Sequence, residues 1–289
     1  MKALLTTFTV VFFVGFFISN PNLNESSNDA QDQKEFQGQA TYMAKSSLDL
    51  GSWGARMSEE QKKAVKARLK NRLEKTYTLT FNKTESYFTE NDMLDAMSGA
   101  TDSWGKNFAA GDQYKNVKTN TQIQDQEFYG KRFLVKDSLQ PIEWKLGSET
   151  KQIGNYMCFK ASASIPTDEL TWYSFSWGKL RNNTPPADTA EGEAATPDIA
   201  MTEVEAWYSP QIPLSHGPSE YWGLPGLILE VSAGDTTMLC SKLVLNPKEV
   251  VVIEAPDKGK EITKKAYQET MVEKMKEFRS QRMGGRPRG

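Results

Sequence analysis

The chain has 289 residues, of which 25% are charged, and its formal net charge is −2. This length is enough for one large domain or two small ones with a buried hydrophobic core. The near-neutral charge argues against a nucleic-acid-binding protein, because such a protein usually carries a basic surplus over its whole domain. We therefore expect no nucleic-acid partner.

The first 19 residues predict a secretory signal peptide. Lys2 supplies a positive start, and residues 3–18 form an apolar run without a charge, as in signal peptides. The run is slightly shorter than the roughly 17–25 residues that a membrane-spanning helix needs. We expect export to the periplasm or cell envelope, the alternative being an uncleaved anchor in the inner membrane. Residues 20–37 are rich in Asn, Ser, Asp and Gln, which predicts a disordered lead-in.

A strand and an amphipathic helix are predicted next. Residues 36–47 alternate small or apolar residues with polar ones, as a half-buried strand does. Ser58 and Gln61 fit a capping box, in which two side chains bond backbone N–H groups at the start of a helix. Apolar residues then recur at four-residue spacing among Lys and Arg: Val65, Leu69 and Leu73. We interpret the basic side as a solvated face.

Short strands predict an antiparallel β domain over residues 38–257. They are expected at residues 77–81, 85–88, 124–129, 131–135, 142–146, 156–165, 202–208, 227–231, 237–245 and 250–254. Residues 91–111 predict a long connection. Residues 181–200 contain three Pro and no aromatic residue, which predicts a mobile surface insertion.

The C-terminal part, residues 258–289, predicts a second amphipathic helix and a flexible basic tail. The apolar stripe of this helix is Ile262, Ala266, Met271, Met275 and Phe278.

Catalytic and metal-binding motifs are missing from the sequence. The single histidine, His216, excludes HExxH and multi-His metal sites, and no G-x-S-x-G, P-loop or dinucleotide pattern occurs. The spacing of the strand carboxylates selects no acid–base pair among Asp137, Glu143, Glu203 and Glu205. We expect no enzyme, no cofactor and no metal.

The two cysteines leave alternatives open. In an oxidising compartment Cys158 and Cys240 predict a disulfide, whereas two buried free thiols are the competing interpretation. Met157 and Met238 stand near them. If the two strands were neighbours, these thiol and thioether groups would suit Cu(I), so a copper-binding protein is a further alternative.

Residues 207–231 predict a shaped connection that leads into a buried strand. Pro210, Pro213 and Pro218 prevent a continuous ladder or helix here. The order Leu-Pro-Gly-Leu at residues 224–227 predicts a type II turn, with Gly226 in the positive-φ position.

This connection resembles the signature of the GLPGLI family. The motif residues are Gly223, Leu224, Pro225, Gly226, Leu227 and Ile228. The similarity extends upstream to a Trp strand at residues 142–146 and a Cys-x-Lys-Ala strand at residues 155–161, and this chain departs from it at about residues 168–201. The resemblance implies a secreted or periplasmic protein of Bacteroidetes-type bacteria, without an established activity.

Together these observations predict a mainly β, α+β fold, in which two amphipathic helices cover a curved, half-barrel-like antiparallel sheet. An aromatic concave face on such a sheet would suit non-catalytic binding of a lipid-like or peptide ligand. The ligand-binding candidates are Trp207, Tyr208, Tyr221, Trp222 and Leu224. The alternative is an accessory subunit of an outer-membrane complex.

Overall fold

Twelve strands form one curled sheet in the described part of the protein. The structure, a computed structural model, describes residues 36–47, 55–91, 111–170 and 201–284. The predicted signal peptide, nearly all of the lead-in, the insertion at residues 181–200 and most of the connection at residues 91–111 lie outside these ranges. The expected mainly β, α+β fold class is confirmed.

Neighbouring strands are antiparallel, except for one parallel pair at an edge of the sheet. The strands are β1 (Gly38–Ser46), β2 (Glu74–Phe81), β3 (Glu85–Glu90), β4 (Asp112–Asn116), β5 (Thr121–Phe128), β6 (Lys131–Ser138), β7 (Lys145–Ile153), β8 (Tyr156–Pro166), β9 (Met201–Ser209), β10 (Leu227–Ala233), β11 (Thr236–Leu245) and β12 (Lys260–Ile262). Their order across the sheet is β12-β6-β5-β4-β3-β2-β1-β11-β10-β9-β8-β7, and the parallel pair is β12 with β6.

Three strand predictions differ from the structure. β4 was not predicted, because its sequence, Asp-Gln-Tyr-Lys-Asn, has mostly residues that are rare in strands. The strand expected at residues 142–146 begins instead at Lys145. The strand expected at residues 250–254 is absent, and the nearby strand is β12.

The described helices are α1 (Glu59–Arg68), α2 (Lys70–Leu73), α3 (Thr167–Leu170) and α4 (Lys264–Gly284). The predicted capping box is confirmed at α1, where Gln61 N donates to Ser58 Oγ at 3.2 Å and Ser58 N donates to Gln61 Oε1 at 2.9 Å. α4 buries Tyr267, Met271 and Met275 against β5 and β6. No helix within the described ranges has the length and apolar character needed to cross a membrane.

Strand alternation divides the main core into two clusters on opposite faces of the sheet. The first, here called the Trp207 cluster, contains Ala40, Tyr42, Leu79, Phe81, Phe88, Cys158, Trp207, Ile212, Leu214, Leu227 and Leu229. The second, the Tyr208 cluster, contains Ala161, Ala163, Ile165, Val204, Ala206, Tyr208, Tyr221, Leu224, Ile228 and Val231. All described elements belong to one compact unit, Glu35–Gly289.

Candidate ligand-binding groove

The motif residues lie in the crossover (residues 210–226) that joins β9 to its antiparallel neighbour β10. Aromatic side chains tie this crossover and the start of β10 to the rest of the domain. Tyr42 donates its hydroxyl proton to Ile228 O at 2.6 Å. Trp144 Nε1 donates to Trp222 O at 2.8 Å, and Trp222 Nε1 donates to Gln140 O at 2.8 Å. The hydrogen bonds of Tyr42, Trp144 and Trp222 thus anchor the motif segment to the rest of the domain.

A buried lysine also binds the crossover. Lys115 on β4 is fully buried, and its ammonium group donates to Gly217 O at 2.9 Å, Ser219 O at 2.6 Å and Tyr221 O at 3.3 Å. Burial lowers the pKa of Lys115 to about 7, while the charge of Glu220 opposes that shift. The three carbonyls supply the acceptors that a buried ammonium group requires.

His216 stands beside this lysine contact and is fully buried. Its Nε2 lies 3.1 Å from Asn82 O, which can only accept, so Nε2 carries the proton and Nδ1 is the acceptor. Burial and, secondarily, the charge of Lys115 lower the pKa of His216 to about 4. His216 is therefore a buried neutral side chain within the crossover.

We expect His216 to make stability depend on pH. Its folded pKa of about 4 lies below its ordinary 6.5, so the unfolded chain binds more protons between these values and stability falls as pH drops from 6.5 to 4. The loss should reach about 3 kcal/mol, since one pKa unit corresponds to about 1.4 kcal/mol. Urea denaturation across this range should show the loss, and His216→Asn should flatten it. An NMR titration of this single histidine with a folded pKa at or above 6.5 would contradict the expectation.

The prediction of a type II turn at residues 224–227 is wrong. Gly226 does not have the positive φ that this turn requires; Gly223 has it instead, at +93°. Gly226 is needed for a close backbone approach, because a Cβ placed on it would lie 2.3 Å from Ser209 O and 2.8 Å from Pro210 N.

The predicted ligand-binding residues do not converge on one surface. Trp207 belongs to the Trp207 cluster on one face of the sheet. Tyr208, Tyr221 and Leu224 are buried in the Tyr208 cluster on the opposite face. Trp222 is half-buried and anchors the crossover. The alternation of β9 places Trp207 and Tyr208 on opposite faces, so a single aromatic binding face does not form from these five residues.

Both cysteines are free thiols in the structure, contrary to the predicted disulfide. Two strands, β9 and β10, stand between Cys158 on β8 and Cys240 on β11. The copper interpretation required neighbouring strands, a condition that β8 and β11 do not meet. Among the described residues no group of three or more His, Cys, Asp or Glu side chains is placed to hold a metal.

A polar groove opens across β7–β10. Its volume is about 490 Å³. It is lined by Lys145, Gly147, Glu149, Lys160, Ala161, Ser162, Glu203, Val204, Glu205, Ser232 and Gly234. A second depression of about 710 Å³ meets it at Gly234 and is lined by Lys45, Ser46, Ser47, Lys70, Leu73, Glu74, Asp235 and Thr237.

A bulge in β7 shapes one wall of the groove. The register between β7 and β8 shifts between Leu146 and Thr150. Gly147 lies in this bulge, where an added Cβ would come within 3.2 Å of Lys160 O. The small residue therefore lets the bulged chain lie close against β8.

An ion-pair network joins the groove to the apolar core. Lys160 Nζ lies 2.9 Å from Glu205 Oε2 and 3.2 Å from Glu149 Oε1. Trp207 Nε1 donates to Glu205 Oε1 at 3.0 Å, and Lys151 Nζ lies 4.3 Å from the Trp207 ring centroid while pairing with Glu230 at 2.7 Å. Trp207 is thus the point where the buried cluster meets the charged groove.

The ion pairs of the groove favour the ionised form of Glu205. Hydrogen bonds from Lys160 and then from Trp207 lower the pKa of Glu205, although partial burial opposes this. Hydrogen bonds to Glu205 and Glu149 raise the pKa of Lys160. The site therefore offers fixed charges of both signs and hydrogen-bonding groups.

Sequence reasoning found part of this groove. Glu203 and Glu205 were named as strand carboxylates, but Lys151, Lys160 and Glu149 were missed. Their ion pairs depend on the register of β7 against β8 and on its bulge, which the strand pattern does not give. The other predicted carboxylates lie elsewhere: Asp137 accepts from the first N–H of α4 at 3.2 Å, and Glu143 is exposed.

One family model matches a part of this chain. A family model described as "Protein of unknown function (Porph_ging)" matches residues 144–230, which contain the crossover and most of the groove. The sequence matches none of the curated proteins with which it was compared.

Two solved structures of PNGF-II, one in the C2 and one in the P21 space group, resemble this fold with TM-scores of 0.46 and 0.44. Each is 15% identical to the chain and aligns with 83% of it. The chain covers only 33% of the PNGF-II chain, and a likeness this distant carries no argument about activity. Residues 144–230 are thus similar to a family whose description gives no function.

Proposed function

We propose that this chain is an exported, non-catalytic binding protein of the bacterial cell envelope whose polar groove binds an extended peptide. The apolar N-terminal run supports export, and the GLPGLI motif at Gly223 to Ile228 supports membership of that family of Bacteroidetes envelope proteins. The observation that carries the proposal is the groove across β7–β10, which is lined by side chains of both charges.

The chemistry of the groove favours a peptide over a lipid-like ligand. Its lining includes two lysines, three glutamates and two serines, which match the charges and amide groups of a peptide. A lipid chain would need an apolar cavity, and the large apolar side chains of the two core clusters are buried against one another.

The ion pairs support a binding role rather than acid–base catalysis. A general acid works best when its pKa is raised towards the operating pH, whereas the pKa of Glu205 is lowered, first by Lys160. Glu149 shares the same ammonium group. Glu205 is thereby suited to hold a ligand as a carboxylate and not to donate a proton.

A titration followed by NMR tests this proposal. We expect a mixture of blocked random hexapeptides to shift backbone amides of β7–β10, and we expect the peptides to be recovered intact. Lys160→Met should weaken binding about tenfold, corresponding to about 1.4 kcal/mol, because Glu149 and Glu205 then repel each other and the groove loses its order. Lys118→Met, at an exposed position on the loop after β4, is the matched control and should bind as the wild type does.

A parallel titration with oleate tests the alternative, a lipid-like ligand. Groove shifts with oleate and none with the peptides would show a lipid carrier and contradict the proposal. Cleavage of the peptides would contradict the non-catalytic role. Cell fractionation that finds the intact protein in the cytosol would contradict export.

A further inference from the structure

The polar groove and the second depression lie along one row of polar side chains, here called the polar row. Its six members stand on six successive strands, and each is the direct cross-strand partner of the next: Lys145, Ser162, Glu205, Ser232, Thr237 and Lys45. Directly paired residues point to the same face of a sheet, and none of these six is buried. The first four line the groove and the last two line the second depression. The two depressions are therefore parts of one track that crosses the sheet from β7 to β1.

An exposed apolar pair adjoins the polar row, two residues further along the strands. Trp207 is the partner of Glu230, Glu230 of Leu239, and Leu239 of Met43. Leu239 and Met43 are 41% and 43% exposed, and they lie beside the part of the polar row on β11 and β1. A ligand that covered this pair would remove apolar surface from water, which favours binding.

The charged side chains along the track largely neutralise one another. Lys160 pairs with two glutamates of the groove. Lys151 Nζ lies 2.7 Å from Glu230 Oε1, and Lys45 Nζ lies 4.0 Å from Glu74 Oε1. The remaining charged residues that line the two depressions are two of each sign: Lys145, Lys70, Glu203 and Asp235. The track therefore has almost no net charge and does not select a ligand by net charge.

We propose that the peptide-binding site extends from the groove into the second depression and takes a neutral, extended peptide with an apolar side chain on the Leu239–Met43 pair. This inference rests on the proposed function of the groove. The polar row spans five strand spacings, roughly 24 Å along the sheet, which is the length of about seven extended residues. Side chains alternate along an extended peptide. Its amide groups can thus bond the hydroxyl groups of the polar row while an apolar side chain contacts Leu239 and Met43.

Three blocked peptides test the inference on the ¹⁵N-labelled protein: the tetrapeptide Thr-Ser-Thr-Ser, an octapeptide that repeats it, and the same octapeptide with leucine as its fifth residue. We expect both octapeptides to shift amides of β11 and β1 as well as those of β7–β10. They should bind at least about tenfold more tightly than the tetrapeptide, because they form more hydrogen bonds. The leucine octapeptide should bind about fivefold more tightly than the polar one, because it covers the apolar pair. About 0.5 M salt should change its affinity less than about twofold.

Two variants complete the test, and both alter an exposed apolar side chain. Leu239→Gln should make the two octapeptides bind equally well. Val250→Gln, at a position outside both depressions, is the matched control and should keep the preference for leucine.

The outcomes separate this inference from the proposed function. Octapeptides that shift only β7–β10 and bind no more tightly than the tetrapeptide would overturn the extended site and leave the peptide-binding groove in place. The absence of shifts with all three peptides would contradict both. A leucine preference that survives in Leu239→Gln would rule out the apolar contact. Shifts of the same amides by maltohexaose, without any by the peptides, would show a glycan site instead.

Discussion

Gly226→Ala is expected to lower the free energy of unfolding by about 3 kcal/mol, at the upper end of the usual cost of overpacking. The new Cβ would lie 2.3 Å from Ser209 O and 2.8 Å from Pro210 N. Both atoms belong to the backbone, which cannot turn aside as a flexible side chain can. Moreover, Ser209 O already accepts from Ile212 N at 3.2 Å, so moving it disturbs the start of the crossover. Urea denaturation of the purified variant measures this loss.

Gly154→Ala is the matched control for this prediction. Gly154 has a φ of +57°, and no atom lies within 4 Å of the position of its Cβ. Alanine there incurs only the cost of the left-handed conformation, about 1–2 kcal/mol. Equal losses for the two variants would show that the close approach at Gly226 does not limit the fold. A larger loss for Gly226→Ala supports the close contact between the crossover and β9.

The two glycines of the motif show what a local pattern can and cannot predict. Pro-Gly at the centre of four residues fits a type II turn, and the sequence alone offers no reason to choose another role. The actual role of Gly226 comes from the end of β9, seventeen residues earlier, which lies against it. Gly223 takes the positive φ instead. Only the three-dimensional approach of the two segments distinguishes these roles.

Strand prediction succeeded where side-chain alternation and burial coincide. In β2, Leu79 and Phe81 are buried, whereas Thr78 and Thr80, which alternate with them, are not, so the period of two is visible in the sequence. β4 has no such pattern, because it buries Gln113 and Lys115 together with Tyr114. Its strand form depends on pairing with β3 and β5 on both sides, which local propensity does not report.

The opposite error occurred at residues 250–254. Four consecutive β-branched residues have a high strand propensity, yet a strand also requires a neighbour with free backbone groups. Gln37 provides only a side-chain amide on one edge. Strand propensity therefore predicted the extended conformation correctly and the strand pairing incorrectly.

The candidate site was only partly predictable, because the pairing register of neighbouring strands brings its charged side chains together. Lys160 meets Glu205 across one ladder and Glu149 across the next. The cross-strand partners follow from pairing of β8 with β9 and from the β7 bulge. A one-residue slip would send each side chain to the opposite face. Sequence reasoning therefore named the glutamates of β9 without finding the lysine that binds them.

Lys115→Met is expected to destabilise the protein by about 3 kcal/mol at pH 7. Methionine fills a similar volume but donates no hydrogen bond, so the carbonyls of Gly217, Ser219 and Tyr221 lose their ammonium partner. An unsatisfied buried acceptor costs about 1–3 kcal/mol, and the removal of a desolvated charge offsets part of the total for three acceptors. Urea denaturation measures the loss, and amide exchange should increase at residues 217–221.

Lys118→Met controls for the loss of one positive charge. Lys118 is exposed on the loop that follows β4, and a substitution there should change stability by less than about 0.5 kcal/mol. Should Lys115→Met prove as stable as Lys118→Met, the crossover would not depend on this lysine.

The loss caused by Lys115→Met should itself depend on pH, which separates a titrating lysine from a purely steric effect. The folded pKa of Lys115 is about 7, below its ordinary 10.5, so the unfolded chain binds more protons than the folded one between these values. Wild-type stability therefore rises with pH in this window relative to the methionine variant, and the difference between them is constant below pH 7. A difference that stays flat from pH 7 to 10.5 would mean that the ammonium form persists in the fold, held by the three carbonyls against the cost of burial.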